Sequence, residues 1–410
     1  MTLFTELKLP NGSVIPNRIA KAAMEENMAN RHFAPSEKLL GLYRAWAQGG
    51  AGLIITGNVM VDSSAMTGPG GVVLESDKQL NQFGRWAHAA KSGGGKVWMQ
   101  INHPGRQMPA TLGQQTWAPS EVSVELGKMS KFFKPPREMS EGMIQEVIDR
   151  FVTTAVLAEK AGFDGVEVHA AHGYLLSQFL SPLTNKRTDK WGGSLENRAR
   201  FLLTIVERIR AAVSPEFAVA VKINSADFQR GGFDQADARS VVKMLNKLSV
   251  DLVELSGGSY EAPAMHGSAR DGRTLAREAY FLEFANDIRE VADMPVMVTG
   301  GIRRLPVAEQ VVNSGVEMVG IATALAIDPD LPAAWKKGQQ RAPELSPITW
   351  SNKPLASLAY MSVVKYQLVK NAGFKKAKPD VSPAWALVLN QVDDAIRTYG
   401  YKRSMKNSFN

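Results

Sequence analysis

Short apolar runs recur along the chain, separated by longer stretches in which apolar residues follow helical spacing. Near-continuous apolar runs of this kind are typical of strands buried on both faces of a parallel sheet. Eight runs predict strands: Arg18–Ala22, Gly52–Thr56, Lys96–Ile101, Gly165–His169, Ala218–Ile223, Leu252–Leu255, Pro295–Thr299 and Met318–Ile321.

Helical patterns fill most of the intervals between these runs. Ser140 and Ser194 stand where a side chain would cap the start of a helix, and Gly162 stands where a helix would end. Helices are predicted at 140–161, 194–213, 234–248 and 276–292. The alternation predicts an α/β fold, a single (β/α)8 TIM barrel. An open doubly wound sheet is the alternative, and the absence of a G-x-G-x-x-G motif after the first strand argues against it.

Three segments fall outside the repeat. The Asn-Gly pair at 11–12 predicts a hairpin within residues 3–17, covering the bottom of the barrel. Residues 102–139 form a long proline-containing loop after the third strand, which predicts a cap or lid. Two further helices are predicted near 355–371 and 383–398. We therefore expect a barrel domain over 1–340 and a basic helical extension over 341–410, packed on the barrel or on a partner subunit.

Composition narrows the class of protein. The 410 residues are 44% hydrophobic and 21% charged, which excludes general disorder. The chain has no cysteine, so disulfides, zinc-thiolate sites and cysteine-bound clusters are excluded. The N-terminal residues lack the pattern of a secretory signal, and no run approaches the length of a membrane span. We expect a cytoplasmic protein that acts on a small molecule and not on membranes.

The net charge of +8 is concentrated at the C-terminus. Residues 351–410 hold ten Lys and Arg against three Asp, so the rest of the chain is nearly neutral. This distribution does not support a nucleic-acid partner. A solvated surface is the favoured interpretation of the basic tail, and contact with an anionic substrate or a partner subunit of a homo-oligomer is the alternative.

Polar residues gather where the predicted strands end, which is where barrels of this kind place their chemistry. The positions are Ala22, Ala23, Met24, Glu25, Asn58, Gln100, Asn102, His103, His169, His172, Tyr174, Lys222, Asn224, Gly300, Gly301, Ala322 and Thr323. Amides, imidazoles, a lysine and a phenol on one face predict a site for a planar polar ligand and a phosphate.

Several of these residues allow more than one interpretation. His169 and His172 could bind a metal with His103 or Asp227 as a third ligand, but we favour a site without metal. Gly300-Gly301 could be a simple turn or a phosphate-binding site. Lys222 lies on an apolar strand, and burial of an unpaired ammonium is costly, so it is expected to face an anionic group.

The same residues resemble the Old Yellow Enzyme family of FMN-dependent NAD(P)H oxidoreductases. The segment AGFDGVEVHAAHGYLLSQFLSPLTNKRTDKWGGSLENRARF at 161–201 is its most distinctive stretch. LPNGSVIPNRIAKAAM, AGLIITG and QINHPGRQ add support, and the resemblance covers roughly 3–335. With no cysteine for a bound cluster, the chain is similar to the stand-alone form of the family.

The resemblance implies a tightly bound, non-covalent FMN, with NAD(P)H as the electron donor. The backbone at Ala22, Ala23 and Met24 would line the flavin, and Asn58, or Gly57 beside it, with Gln100 would bind its polar edge. Lys222 would lie near flavin N1, where a cation favours the reduced form. Gly301, Ala322 and Thr323 would hold the phosphate.

The resemblance also assigns catalytic roles. His169 and His172 would donate hydrogen bonds to the oxygen of an activated alkene, such as an enone, a nitroalkene or a dienoyl thioester. Hydride would pass from flavin N5 to the β-carbon, and Tyr174 would protonate the α-carbon.

Three positions depart from the family pattern. Glu25 replaces Cys or Thr near the flavin, and it either lowers the flavin potential or turns away into a salt bridge. Asn27 replaces a tyrosine that contacts substrate. Thr323 replaces a phosphate-binding arginine, and Arg303 or Arg304 could take over that charge pairing.

Two other functions remain open. A non-flavin barrel lyase or aldolase could use Lys222 as a Schiff base. A flavoprotein with a binding role could use its C-terminal helices as an interface.

Overall fold

The computed structural model describes residues 2–263 and 278–408, with the backbone alone at 353–354 and 407–408. Its strands are β1 Leu7–Lys8, β2 Val14–Ile15, β3 Ile19–Lys21, β4 Leu53–Ile55, β5 Val59–Met60, β6 Val72–Val73, β7 Lys96–Asn102, β8 Trp117–Ala118, β9 Arg137–Glu138, β10 Gly165–Ala170, β11 Ala218–Asn224, β12 Leu252–Ser256, β13 Val296–Thr299 and β14 Met318–Ile321.

The α-helices surround and extend this set of strands. They are α1 Glu37–Gln48, α2 Leu80–Ala90, α3 Glu141–Lys160, α4 Leu175–Leu180, α5 Leu195–Ala212, α6 Gln235–Leu245, α7 Leu282–Arg289, α8 Leu305–Asn313, α9 Thr323–Ile327, α10 Leu331–Lys336, α11 Lys353–Ala372 and α12 Pro383–Ser408.

Eight parallel strands close into a barrel. They follow the order β3, β4, β7, β10, β11, β12, β13 and β14, and β14 pairs with β3 to complete the ring. Each of these strands overlaps one of the eight predicted runs, so the predicted (β/α)8 barrel is confirmed. The short strands β5 and β6 continue outward from β7 and were not predicted. They hold two residues each, which is too short for a hydrophobic period to show.

The bottom of the barrel is closed by the predicted hairpin. Strands β1 and β2 pair antiparallel around the Asn-Gly turn, and Gly12 has a left-handed φ of 85°. Leu7 and Ile15 of the hairpin pack in one apolar cluster with Trp98 and Met297 from the barrel interior. The hairpin therefore covers the end of the barrel opposite the carboxyl ends of the strands with apolar side chains.

Side-chain caps fix the starts of two long helices. The Ser140 hydroxyl accepts from the backbone N–H of Met143, and Ser194 accepts from that of Asn197. The helix predicted at 276–292 is shorter, since α7 begins at Leu282, and residues 276–277 lie outside the described residues. Glu278 precedes the helix and pairs with arginines after β13 instead.

The long loop after β7 is ordered by two buried arginines. Arg106 donates to the carbonyl of Ser123 at 2.6 Å and forms an ion pair with Glu261. Arg187 donates to the carbonyl of Met139 at 2.7 Å. Short strands β8 and β9 pair with each other inside this segment. The loop is thus fastened to the segments that follow β10 and β12, beside the barrel mouth.

The last two helices pack together and contact the barrel. Lys365 of α11 pairs with Asp394 of α12 at 3.2 Å, which links the two helices. Asn371 donates to the carbonyl of Ala326, and Tyr401 donates to that of Ser63. The second helix extends ten residues past its predicted end at 398, because Tyr401 and neighbouring apolar residues are buried.

None of the helices within the described ranges combines the length and the apolar character needed to cross a membrane.

Candidate active site

A buried polar layer crosses the barrel interior below its mouth. Gln100, Glu167, Lys222 and Glu254 come from the consecutive barrel strands β7, β10, β11 and β12. Gln100 Nε2 donates to Glu167 Oε1 at 2.7 Å, and Lys222 Nζ donates to Glu254 Oε1 at 2.7 Å. All four side chains are buried. The strand register therefore creates two polar pairs in one layer.

The two carboxyl groups of this layer have different electrostatic states. Burial, and then the charge of Glu254, raises the pKa of Glu167 well above its usual value, which favours its protonated form. Burial also acts to raise the pKa of Glu254, but the adjacent Lys222 ammonium outweighs it and the pKa of Glu254 is lowered. The anionic group expected to face Lys222 is thus supplied by Glu254, which the sequence analysis did not name.

The predicted histidines lie together at the end of β10, with His169 in the strand and His172 just after it. The two rings are edge-to-face with centroids 5.1 Å apart. His169 Nδ1 accepts from the Ala171 N–H at 3.3 Å, so Nε2 carries the proton. Burial and the Lys222 charge lower the pKa of His169 well below its usual value, which keeps this ring neutral. His169 can therefore donate one hydrogen bond from Nε2.

The backbone of His172 has an uncommon conformation, with φ at 60°. Its N–H donates to Asn224 Oδ1 at 3.0 Å, which ties the turn to β11. Its Nε2 lies 2.7 Å from the Ser256 hydroxyl at the end of β12. The ring orientation of His172 is therefore set by two neighbouring strands.

The predicted tyrosine completes this group. The Tyr174 ring packs edge-to-face on His169 at 5.0 Å between centroids. Its hydroxyl lies 3.1 Å from the hydroxyl of Tyr260, which belongs to the segment after β12. Burial, and then the nearby Tyr260 and Glu25, raises the pKa of Tyr174 well above its usual value. Tyr174 is therefore a protonated phenol with a second phenol as its hydrogen-bond partner.

Of the two arrangements expected for Glu25, the salt bridge is not formed among the described residues, and tuning of the flavin stays a prediction. Its Oε1 accepts from the Thr67 hydroxyl at 2.6 Å, and within the described part of the chain it forms no salt bridge. Burial is the main cause that raises its pKa, and Thr67, Lys365 and Asn27 act in the opposite direction. Asn27 has a left-handed φ of 53°. The C-terminal extension thus contributes to the charge around Glu25.

The segment after β4 leaves room only for glycine at 57. A Cβ there would lie 2.0 Å from Glu26 Oε2 and 2.3 Å from the Met24 carbonyl. The Gly57 N–H donates to the Tyr43 hydroxyl at 2.8 Å, and Tyr43 in turn donates to Glu26. Half-buried Asn58 follows directly. The segments that hold Met24 and Asn58 are thereby held in contact.

The glycines after β13 adjoin the start of α9. Gly301 has φ at 72°, and a Cβ there would lie 2.5 Å from the Tyr280 ring. Ala322 and Thr323 stand at the N-terminus of α9, where the first N–H groups lack intrahelical partners.

Both candidate arginines near this end have carboxylate partners. Arg303 pairs with Glu278 at 3.3 Å and with Glu344 at 2.8 Å. Arg304 pairs with Glu278 at 2.6 Å. A role in phosphate binding stays a prediction for either arginine.

The donor set fits a flavin nucleotide. Asn102 faces the same side of β7 as Gln100, and both polar atoms of its side chain are buried with no hydrogen-bond partner. Unsatisfied buried amides are rare and call for a ligand or water. An amide and a cation at one mouth match the polar edge of FMN. The small residues at 22 and 23 match its ring face, and the two glycines after β13 match its phosphate.

Among residues 2–263 and 278–408, no three His, Asp or Glu side chains are grouped in a way that could hold a metal ion.

Comparison with known proteins identifies the family. The model of the NADH:flavin oxidoreductase / NADH oxidase family matches residues 2–342. The chain is 38% identical over 351 residues to the NADH-dependent flavin oxidoreductase iliE of Neonectria sp. (strain DH2), covering 80% of this chain and 46% of that protein. It is 35% identical over 345 residues to the protein of the same name from Hypocrea jecorina (strain QM6a), covering 78% and 85%.

The fold comparison agrees. The structure of an old yellow enzyme homologue from Zymomonas mobilis superposes with a TM-score of 0.71 at 26% identity, covering 87% of this chain and 98% of that one. The chain belongs to the NADH:flavin oxidoreductase / NADH oxidase family, and it spans about half the length of the Neonectria relative. The predicted family, the oxidoreductase class and the cofactors, FMN with NAD(P)H as donor, are confirmed.

Proposed function

We propose that the chain is an NAD(P)H-dependent FMN oxidoreductase that reduces activated C=C bonds in enones, nitroalkenes or dienoyl-type substrates. The observation that carries this proposal is the convergence of His169, His172 and Tyr174 at the mouth that also holds Gln100 and Lys222. The family match supports the oxidoreductase class. The ion pair of Lys222 with Glu254 argues against a free amine for Schiff-base chemistry.

The residues of the polar layer would hold the cofactor. Gln100 and Lys222 would bind the polar edge of FMN, the backbone at 22–24 would lie along its ring, and the N–H groups at Gly301 and Thr323 would bind its phosphate. When bound, FMN supplies the capacity to accept hydride from NAD(P)H and to donate it to a substrate.

The histidine pair would orient and polarise the substrate. Neutral His169 offers its Nε2–H, and His172 is held beside it at a fixed angle. Two hydrogen bonds to one carbonyl or nitro oxygen draw electron density from the conjugated double bond and make its β-carbon electrophilic. The rigid turn at His172 preserves this geometry before substrate arrives.

Tyr174 would supply the proton. Its raised pKa keeps the hydroxyl protonated at neutral pH, and the enolate left when an enone accepts hydride is a stronger base than the phenolate. Tyr260 lies within hydrogen-bonding distance and can stabilise the phenolate that forms.

The test separates the two half-reactions. In stopped-flow measurements, Tyr174→Phe should slow oxidation of the reduced enzyme by an enone roughly 10²–10⁴-fold, because this half-reaction needs the tyrosine proton. Reduction of the enzyme by NAD(P)H does not need that proton and should be unchanged. The control is Tyr260→Phe, which keeps the proton donor and should have a smaller effect. Equal losses in both half-reactions of Tyr174→Phe would refute the proposed role. A chain that oxidises no NAD(P)H with any alkene or quinone would refute the function itself.

A further inference from the structure

One face of α12 carries an exposed apolar stripe. Six apolar residues recur at helical spacing and lie on one side of the helix: Trp385, the adjacent pair Val388 and Leu389, Val392, Ile396 and Tyr399. Ile396 is 67% exposed and Tyr399 is 72% exposed. The opposite side is buried, with Ala386 and Tyr401 packed on the rest of the chain. The helix is thus anchored on one side and unpartnered on the other.

This stripe stands out from the rest of the described surface. Most of the large apolar side chains exposed there lie on α11, α12 and the turn between them, including Leu355, Leu358 and Met361 of α11. Apolar surface that is contiguous along a helix marks an interaction site, whereas scattered apolar residues need no explanation.

The exposed area approaches what a stable dimer needs. A full side-chain area of about 150–250 Å² for each residue is multiplied by the fraction of that residue that is exposed. Summed over the six residues, the exposed apolar area is roughly 650 Å². A standard interface buries about 800 Å² on each partner. The exposed residues of α11, which lies alongside α12, can supply the remainder.

The stripe is symmetric about Val392. Val388 and Ile396 lie four residues on either side of it, and Trp385 and Tyr399 lie seven residues on either side. A two-fold axis at Val392 would place Ile396 against Val388 of the partner subunit, and Tyr399 against Trp385 of the partner subunit. Self-complementarity of this kind is the requirement for an isologous interface.

We propose that the apolar stripe of α12 is the interface of a homodimer, in which two copies of this helix pack antiparallel about an axis at Val392. The inference is independent of the proposed function, because the interface residues lie outside the catalytic group. It gives the C-terminal extension a second role, since the same helix that contacts the barrel through Tyr401 joins two subunits.

The first test measures oligomeric state. Sedimentation equilibrium of the FMN-loaded full chain over a range of concentrations should show a dimer. Ile396→Glu should raise the dimer dissociation constant roughly 100-fold or more, because it places a charge at a buried apolar contact. The matched control Gln391→Glu, exposed but off the stripe, should leave dissociation unchanged, and flavin content should be equal in all three. A monomeric wild type, or an Ile396→Glu variant that stays dimeric, would overturn the proposal.

The second test uses the absence of cysteine from the chain. Val392→Cys places one thiol per subunit at the proposed axis, so mild oxidation should give a disulfide-linked dimer. Gln391→Cys should cross-link far less. A dimer that cross-links equally well at both positions, or only at 391, would overturn the axis at Val392.

Discussion

The ion pair between Lys222 and Glu254 allows a prediction with a defined magnitude. Lys222 is 3% exposed and Glu254 is fully buried, with 2.7 Å between Nζ and Oε1. Glu254→Gln keeps the size and shape of the side chain and removes its charge. The perturbation therefore leaves the Lys222 ammonium in the barrel interior without the carboxylate it pairs with.

The expected cost follows from burial. Removal of one partner from a buried ion pair destabilises a protein by about 3–5 kcal/mol, since the remaining charge is uncompensated. The glutamine oxygen can still accept from Nζ, so we expect a loss of about 3 kcal/mol in the free energy of unfolding without FMN. The double variant Lys222→Met with Glu254→Gln removes both charges and should recover most of this loss.

The same change should act on the bound flavin. With Glu254 neutral, Lys222 would interact more strongly with negative charge on the reduced cofactor. A gain of about 1.4 kcal/mol for the reduced form corresponds to a midpoint potential roughly 30 mV higher for a two-electron couple.

Two assays measure these effects. Urea denaturation of the chain without FMN gives the unfolding free energy, and an equilibrium redox titration of the FMN-loaded chain gives the potential. Glu216→Gln, at an exposed position, is the control and should change neither value. A Glu254→Gln loss under about 1 kcal/mol, or a potential that does not rise, would refute the reasoning.

Two further predictions concern pH and cofactor tuning. Burial lowers the pKa of His103 to about 4. Between pH about 6.5 and 4, His103 is therefore protonated in the unfolded state but not in the folded state. The free energy of unfolding should fall by up to about 3 kcal/mol as the pH drops through that range. His103→Gln should flatten this slope in acid denaturation curves, and an unchanged slope would contradict the assignment. Glu25→Gln should raise the flavin potential by roughly 30 mV or less at pH values above the raised pKa of Glu25, and the difference should vanish below that pKa. A redox titration with no shift at any pH would show that Glu25 does not tune the flavin.

The barrel was predictable because each strand is buried on both faces. Runs such as Val219–Ile223 and Leu252–Leu255 are apolar at every position except one charged residue. Serines that cap the helix starts mark the long helices. The final helix was predicted too short, because burial of Tyr401 against the segment after β5 depends on contacts distant in sequence.

The candidate site was predictable where its residues are local in the chain. His169, His172 and Tyr174 lie within six consecutive residues at the end of β10, and the structure brings them together. Glu254 carried the same signal that singled out Lys222, a charged residue within an apolar strand, but only the register shows that they pair. Tyr260 had no local signal, because its contact with Tyr174 spans 86 residues.

We propose that the mouth of the barrel binds FMN beside the layer formed by Gln100, Glu167, Lys222 and Glu254. Titration of the cofactor-free chain with FMN, followed by quenching of flavin fluorescence, tests it directly. We predict saturable binding of one FMN per chain that weakens at least tenfold in Gln100→Ala and is unchanged in the surface variant Glu216→Gln. Absence of saturable binding, or equal binding in Gln100→Ala, would contradict the account.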